Sequence, residues 1–204
     1  RTLGENGQKL CLSRSERAGA LPFGNRGLIG RFLLIEIDLN SCTGCKKCEV
    51  ACAFFHTGRV SNRLSRIKVL NLYETGIDGP VVCLQCEEKF CLQCPVEALS
   101  SGPLGQIIAS PTVCTLCGIC EKSCPIGAIE IHDDIVYVCD LCGGKPRCVE
   151  ACTEGALKFA EKEQGPSLER IRKETGNMSS SQKRWHYLKK LGASLRDKWR
   201  REHA

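Results

Sequence analysis

Residues 114–125 read Cys-Thr-Leu-Cys-Gly-Ile-Cys-Glu-Lys-Ser-Cys-Pro, a C-x2-C-x2-C-x3-C-P run. Few patterns restrict a chain as tightly. Three thiols at three-residue intervals have to share one tight loop, and this is the spacing with which a polypeptide grips an iron–sulfur cube. Cys114, Cys117 and Cys120 are placed to hold three corners of one 4Fe–4S cluster. Cys124 is expected to be carried away on a helix that Pro125 opens, and so to reach a second cluster.

The same spacing recurs. Cys42, Cys45, Cys48 and Cys52 form a C-x2-C-x2-C-x3-C quartet in which Ala53 stands in the proline place. Cys83, Cys86, Cys91 and Cys94 follow C-x2-C-x4-C-x2-C-P, with a longer middle loop and a shorter last interval. Cys139, Cys142, Cys148 and Cys152 follow C-x2-C-x5-C-x3-C, with Thr153 after the last thiol. Sixteen of the 17 cysteines therefore divide into four quartets. Cys11 has no partner spacing and reads as a free thiol.

Other uses of so many thiols fit less well. Disulfide frameworks belong to secreted chains. The apolar run from Leu28 to Leu39 is broken by Arg31, Glu36 and Asp38, so it fails both as a secretory signal and as a membrane span. A cytoplasmic location is expected. Structural zinc pairs two short knuckles across a long gap, whereas here three thiols stand in succession. Aromatics are only 5% of the residues, so a core dense in thiols needs metal to hold it. There is no P-loop, no dinucleotide glycine fingerprint and no nucleophile–base pair, so no catalysis by this chain alone is expected. Nor does any stacking-aromatic motif accompany the basic residues, which argues against nucleic acid.

Along the chain, residues 1–30 read as an extended arm. Residues 31–160 carry the quartets, as a repeated strand, cysteine loop, short helix and strand. Strands are expected over 31–38, with Leu33, Ile35 and Ile37 on one face, and over 67–72 and 107–109. A turn is expected over 76–80, a helical turn over 96–99 and a continued helix over 126–128. Strands 129–132 and 135–138 should join at Asp133-Asp134, and a short helix over 155–157 should precede an exit strand over 158–160. His56 reads as a hydrogen-bonded structural residue rather than a ligand.

Residues 161–204 form a basic helical tail. Ser167 is expected to cap a helix reaching about Glu174, and Ser179–Ser181 a second one. On the second, Trp185, Leu188, Leu191, Leu195 and Trp199 form one apolar stripe. It can pack on its own body, lie on a membrane surface or dock on another subunit, and two tryptophans favour docking. Residues 179–204 hold eight Lys/Arg and two acids, a net of +6, so the other 178 residues balance to zero against the chain's formal +6. Each cluster with four thiolates adds about −2, giving an acidic body and a basic tail. A head-to-tail contact between copies is therefore expected, able to grow into filaments and weakened by salt. Deleting 179–204 is expected to spare the clusters and weaken assembly.

The four-quartet pattern, with longer loops in the second and fourth, resembles the four-cluster ferredoxin-like electron-transfer subunits of molybdenum and tungsten oxidoreductases and some hydrogenases. The resemblance covers roughly residues 31–160. The stretch Cys139-Asp140-Leu141-Cys142-Gly143-Gly144 looks most like small subunits accompanying tungsten aldehyde oxidoreductases. This resemblance implies an α+β fold of two interleaved bacterial-ferredoxin-like modules with a C-terminal helical extension, and four 4Fe–4S clusters. It further implies that the first quartet pairs with the fourth and the second with the third. Cys42, Cys45 and Cys48 then share a cluster with Cys152, and Cys139, Cys142 and Cys148 with Cys52. Cys83, Cys86 and Cys91 share one with Cys124, and Cys114, Cys117 and Cys120 with Cys94. The short Cys91–Cys94 interval and the missing prolines after Cys52 and Cys152 depart from the pattern. The implied partner is a large catalytic subunit with a tungsten or molybdenum pterin, exchanging electrons with a flavin subunit or a ferredoxin. The alternatives are a hydrogenase- or formate dehydrogenase-type iron–sulfur subunit and an independent soluble polyferredoxin.

Overall fold

A run of large aliphatic residues, FLLIEI, makes strand β1 (Phe32–Ile37), and its partner lies at the far end of the cysteine-bearing region. It pairs antiparallel with β8 (Leu157–Lys162), in register from Phe32 opposite Lys162 to Ile37 opposite Leu157. Ile35 on this ribbon is fully buried. The computed structural model describes residues 32–203; the arm expected over 1–30, with Cys11, lies outside the described residues. Between β1 and β8 the chain forms three more two-stranded antiparallel ribbons. These are β2 (Lys68–Leu72) with β3 (Ile77–Val81), β4 (Leu99–Ser101) with β5 (Ile107–Ala109), and β6 (Glu130–His132) with β7 (Ile135–Tyr137). Three short helices, α1 (Lys47–Thr57), α2 (Ile119–Ser123) and α3 (Arg147–Glu150), carry cysteines of the first, third and fourth quartets.

The β6–β7 turn is the one the sequence suggests. Asp133 and Asp134 both have positive φ, +51° and +58°, as a two-residue turn matched to strand twist requires. Elsewhere the local reading needs correcting. Residues 77–81 are a strand, not a turn. A two-stranded ribbon has no neighbour to ask Pro80 for an N–H. At Gly79, Leu39 Cδ2 and Leu188 Cδ1 come within 2.5 and 2.7 Å of where a Cβ would stand, so the glycine is there for close packing. Helix α2 precedes Cys124 and stops at Ser123; residues 126–128 are irregular, because Gly127 turns the chain at φ +66°. Residues 96–98 are not helical, Leu99 begins β4, and Leu157 begins β8 rather than closing a short helix.

The core consists of aliphatic residues and cysteines in two groups. One gathers Ile35, Ile67, Val82 and Leu141 around Cys48, Cys52, Cys139 and Cys148. The other gathers Leu72, Val81, Phe90, Ile107, Ile126 and Ile129 around Cys91, Cys120 and Cys124. Among the described residues no helix is long and apolar enough to cross a membrane.

The tail comprises α4 (Glu169–Thr175) and α5 (Ser180–Glu202). Ser167 does not cap α4; its hydroxyl donates to the Glu88 carboxylate, which itself accepts the Leu168 N–H at 3.2 Å. Ser179 does cap α5, in a reciprocal box with Gln182. Helix α5 lies along its own body, and the buried face is not the expected stripe. Lys183, Arg184, Leu188 and Gly192 are buried, while Trp185 and Trp199 remain 37% and 62% exposed.

The reason lies in the segment after α2, which has left helix geometry but has not yet entered β6. Its carbonyls still need donors, and the tail supplies them. Lys183 Nζ donates to Lys122 O at 2.5 Å, and Thr175 Oγ1 to Pro125 O at 2.9 Å. Arg184 Nη1 donates to Gly127 O at 2.8 Å, and Ser180 Oγ to Ile129 O at 3.3 Å. Arg184 also pairs with Glu130 at 2.7 Å, and Lys68 of β2 reaches the same carboxylate at 3.2 Å. The tail thus splints the chain on both sides of Cys124. Removing 179–204 strips three of these four donors, leaving Thr175, and should disturb that loop, contrary to the expectation that the tail is dispensable to the body.

Burial works against the Glu130 carboxylate, but Arg184 and Lys68 more than offset it and hold its pKa below the usual range. A carboxylate lowered in this way stabilises the fold above its unfolded pKa, and loses that effect as pH falls through the native value. Glu130→Gln should therefore cost about 2 kcal/mol near neutral pH, the scale of a hydrogen bond to a charged group. Denaturant unfolding of the anaerobic protein measures this. The gap between variant and wild type should close as pH drops below the ordinary carboxylate range.

Candidate functional site

The four quartets do not fold as four separate units. Cys42, Cys45, Cys48 and Cys152 line one pocket, with Val69, Pro80 and Leu157 beside them (site A). Cys52, Cys139, Cys142 and Cys148 line a second, walled by Ile35, Ile67 and Leu141 (site B). In each, three cysteines come from one quartet and the fourth from another. The β1–β8 pairing puts residues 42–52 beside residues 139–152, and α1 packs against α3. Helix α1 carries Cys48 to site A and Cys52, one turn on, to site B.

The other eight group in the same way. Cys83, Cys86, Cys91 and Cys124 lie close enough for their charges to act on one another (site C). Cys120 feels Cys114 and Cys94, and Cys117 shares its loop and is exposed (site D). None of the sixteen described cysteines is in a disulfide. Charge interactions between thiols of different groups give them an order. Cys148 of B feels Cys48 of A, Cys139 of B feels Cys83 of C, and Cys91 of C feels Cys120 of D. The thiol groups therefore run A–B–C–D, with the exposed Cys45 and Cys117 in the two terminal groups.

The loops between the thiols have a shared geometry. The residue before the second cysteine of every quartet is left-handed: Gly44 at φ +66°, Gln85 at +51°, Leu116 at +58° and Leu141 at +56°. In three quartets another left-handed residue follows that cysteine or lies at it, namely Lys46, Gly118, and the Cys142–Gly143 pair. Alternating right- and left-handed residues turn successive N–H groups toward one point, which makes an anion-binding nest. Small residues such as Gly44 and Gly118 were legible as turn formers. Gln85, Leu116 and Leu141 were not, since a side chain in this conformation costs about 1–3 kcal/mol. Three N–H groups do meet sulfur: Arg66 on Cys52 at 3.3 Å, Leu116 on Cys114 at 3.4 Å and Ala128 on Cys124 at 3.2 Å.

Electrostatics points the same way. Burial first, then neighbouring thiolates and carboxylates, pushes Cys48 and Cys91 up to about 12 and Cys120 and Cys142 to about 11. Cys83, Cys139 and Cys148 are raised as well, again chiefly by burial. Sulfur so reluctant to ionise becomes thiolate only when a metal replaces the proton. Four-sulfur donor sets, mostly buried, under N–H groups suited to an anion fit a 4Fe–4S group.

His56, read from sequence as a hydrogen-bonded structural residue, stands at site B, and Lys183 carried no sign in the sequence of its place near site C. His56 Nε2 lies 3.7 Å from Cys142 Sγ and 3.5 Å from Asp140 Oδ1. Burial lowers the imidazole pKa to about 4, with Arg66 adding to the effect and Asp140 opposing it. Arg66 holds Asp140 at 2.6 Å; together with His56 it outweighs burial and keeps that carboxyl below its usual range. Lys183, 1% exposed, sits near enough to Cys124 for its charge to favour the thiolate. His56 is 86 residues from Cys142 in sequence, so the only local signal was its four-residue offset from Cys52 on α1.

Residues 34–57 and residues 107–130 each match a 4Fe-4S binding domain model. The polyferredoxin-like subunit of the aliphatic sulfonate oxidoreductase of Pyrococcus furiosus is 39% identical over 132 residues, which cover 61% of this chain and 76% of the relative. The B subunit of the anaerobic dimethyl sulfoxide reductase of Escherichia coli is 31% identical over 172 residues, covering 71% of this chain and 78% of the relative. The beta subunit of the NADH-dependent phenylglyoxylate dehydrogenase of Aromatoleum evansii is 36% identical over 131 residues, 61% of this chain but 29% of that longer protein. With its cysteine loops, the two domain matches and relatives covered over most of their length, the chain belongs to the family of ferredoxin-like 4Fe–4S electron-transfer proteins that includes these oxidoreductase subunits.

Proposed function

We propose that the chain is the electron-transfer subunit of an oxidoreductase complex and relays single electrons through four 4Fe–4S clusters held at sites A to D. The observation that carries this reading is the A–B–C–D succession of four-thiol groups, each adjoining the next through a named pair of cysteines. A 4Fe–4S cluster accepts and releases one electron at a potential set by charge, hydrogen bonds to sulfur and solvent exposure. The chain's own residues arrange the rest. Ile35, Ile67 and Leu141 keep water from site B, and the left-handed loops hold N–H groups in place, so little has to reorganise when charge changes. Cys45 and Cys117 mark the two ends as the places where electrons enter and leave.

The proposed partner at one end is a catalytic subunit with a tungsten or molybdenum pterin, of the aldehyde oxidoreductase kind, in keeping with the stretch 139–144. At the other end a flavin subunit or a ferredoxin exchanges electrons. Trp199, with Leu195 and Arg196, lines the same cleft as Cys42 of site A, which supports docking of a partner at that end. Affinity purification of the full chain from its native host should retain a larger oxidoreductase subunit that contains tungsten or molybdenum. Recovery of the chain alone would favour the independent polyferredoxin instead.

The exchange of fourth ligands has its own test. Anaerobic protein should contain about four iron and four sulfide per site. Cys152→Ser and Cys45→Ser should perturb the same spectral component in Mössbauer or EPR spectra, and Cys52→Ser should act with Cys142→Ser. If Cys52→Ser instead matches Cys45→Ser, the quartets keep their own fourth cysteines.

A further inference from the structure

Helix α1 presents Cys48, Cys52 and His56 at four-residue intervals, so the imidazole continues the face that carries two of the thiols. Its Nε2 lies between two acceptors, Cys142 Sγ at 3.7 Å and Asp140 Oδ1 at 3.5 Å. Once Cys142 is a metal-bound thiolate, neither neighbour can donate, so the proton of a neutral imidazole belongs on Nε2. The surroundings fix the ring. Phe55 meets it edge-on with centroids 5.0 Å apart, and Arg66 holds Asp140 at 2.6 Å. Asp140 Oδ1 also accepts the Cys142 N–H at 3.0 Å, so the imidazole N–H is shared between this carboxylate and the thiolate. The hydrogen bonds seen on Cys114 and Cys124, at sites D and C, come from backbone N–H groups. Among the described residues no other side-chain donor reaches a cysteine sulfur.

We propose that His56 is a positioning residue for the cluster of site B, donating its Nε2–H to the Cys142 thiolate and thereby raising the reduction potential of that site. This rests on the reading of the four thiol groups as cluster sites. A hydrogen bond to a ligand sulfur favours the more negative, reduced state, so its effect appears as a more positive potential. The Arg66 guanidinium offsets the negative charge of Asp140, which would otherwise act in the opposite sense.

The test uses the anaerobic full-chain holoprotein, titrated with dithionite and followed by EPR. His56→Leu removes the donor and should lower one midpoint by about tenfold in the one-electron equilibrium, about 59 mV, leaving the other three in place. His56→Gln retains an N–H and should restore most of the shift. Unchanged midpoints in His56→Leu, or an equal shift in His56→Gln, overturn the proposal. If His56→Leu fails to assemble, wild-type protein labelled with 15N-histidine decides. Pulsed EPR should find one imidazole nitrogen coupled to a 4Fe–4S cluster, and absence of that coupling overturns the proposal. A wild-type preparation with no 4Fe–4S signal would instead overturn the cluster reading itself.

Discussion

The pairing of β1 with β8 is the contact on which the arrangement depends. Sites A and B each draw on residues 42–52 and 139–152, almost a hundred positions apart, and nothing local can bring those loops together. The six-residue ribbon does so by burying Ile35 and Leu157 on the side where the thiols gather. Helix α1 then turns one strand's exit into two ligand positions, because residues four apart lie on the same face. A slip of one residue in the ribbon would turn Leu33 and Ile35 out of the core and move Cys42 away from Cys152. Register in a short, otherwise weak ribbon is thus tied to whether four sulfurs can meet.

How much of this was legible follows from which forces act locally. Thiol spacing is a local constraint, and it marked the sixteen positions that the fold gathers. The hairpin at Asp133-Asp134 was legible because two left-handed residues suit few side chains. The turn read over 76–80 failed because Gly79 and Pro80 are usually punctuation, and only the Leu39 and Leu188 side chains show why glycine is needed there. Gln85, Leu116 and Leu141 carry no sign of left-handed backbone, since their propensities point elsewhere. What imposes that conformation is the demand that N–H groups converge on sulfur, a tertiary demand on a local torsion.

The tail shows the same limit from the other side. The apolar stripe left open whether Trp185 and Trp199 pack inward or dock outward; the helix leaves them exposed and buries Lys183 and Arg184. Hydrophobic pattern normally wins because an unpaired buried charge is costly. Here the body presents carbonyls at Lys122 and Gly127 with no other donors, so two long cations with polar ends fit where a tryptophan would leave those oxygens bare. Gly127 allows this approach, since a Cβ there would collide with the Ser180 carbonyl. The basic character of the tail is therefore partly spent inside the molecule, and its outward residues, Trp199 among them, are what remains for other surfaces.

That division also bears on charge flow through the proposed relay. Lys183 places a cation near Cys124 at site C, and the Arg66–Asp140–His56 group surrounds Cys142 at site B. Both interior sites thus have cationic or donor side chains close by. The terminal groups contain the exposed thiols, Cys45 at A, where Lys46 and Lys47 also line the site, and Cys117 at D. Water at the ends and fixed donors in the middle act on potential by different routes. Solvent adjusts to either charge state, whereas a buried lysine or imidazole is oriented before the electron arrives. An electron passing from A to B leaves an environment that a docked partner can dehydrate for one that no partner reaches. Docking can then shift the end sites while the interior ones keep their values, and this separates control of electron uptake from the properties of the path.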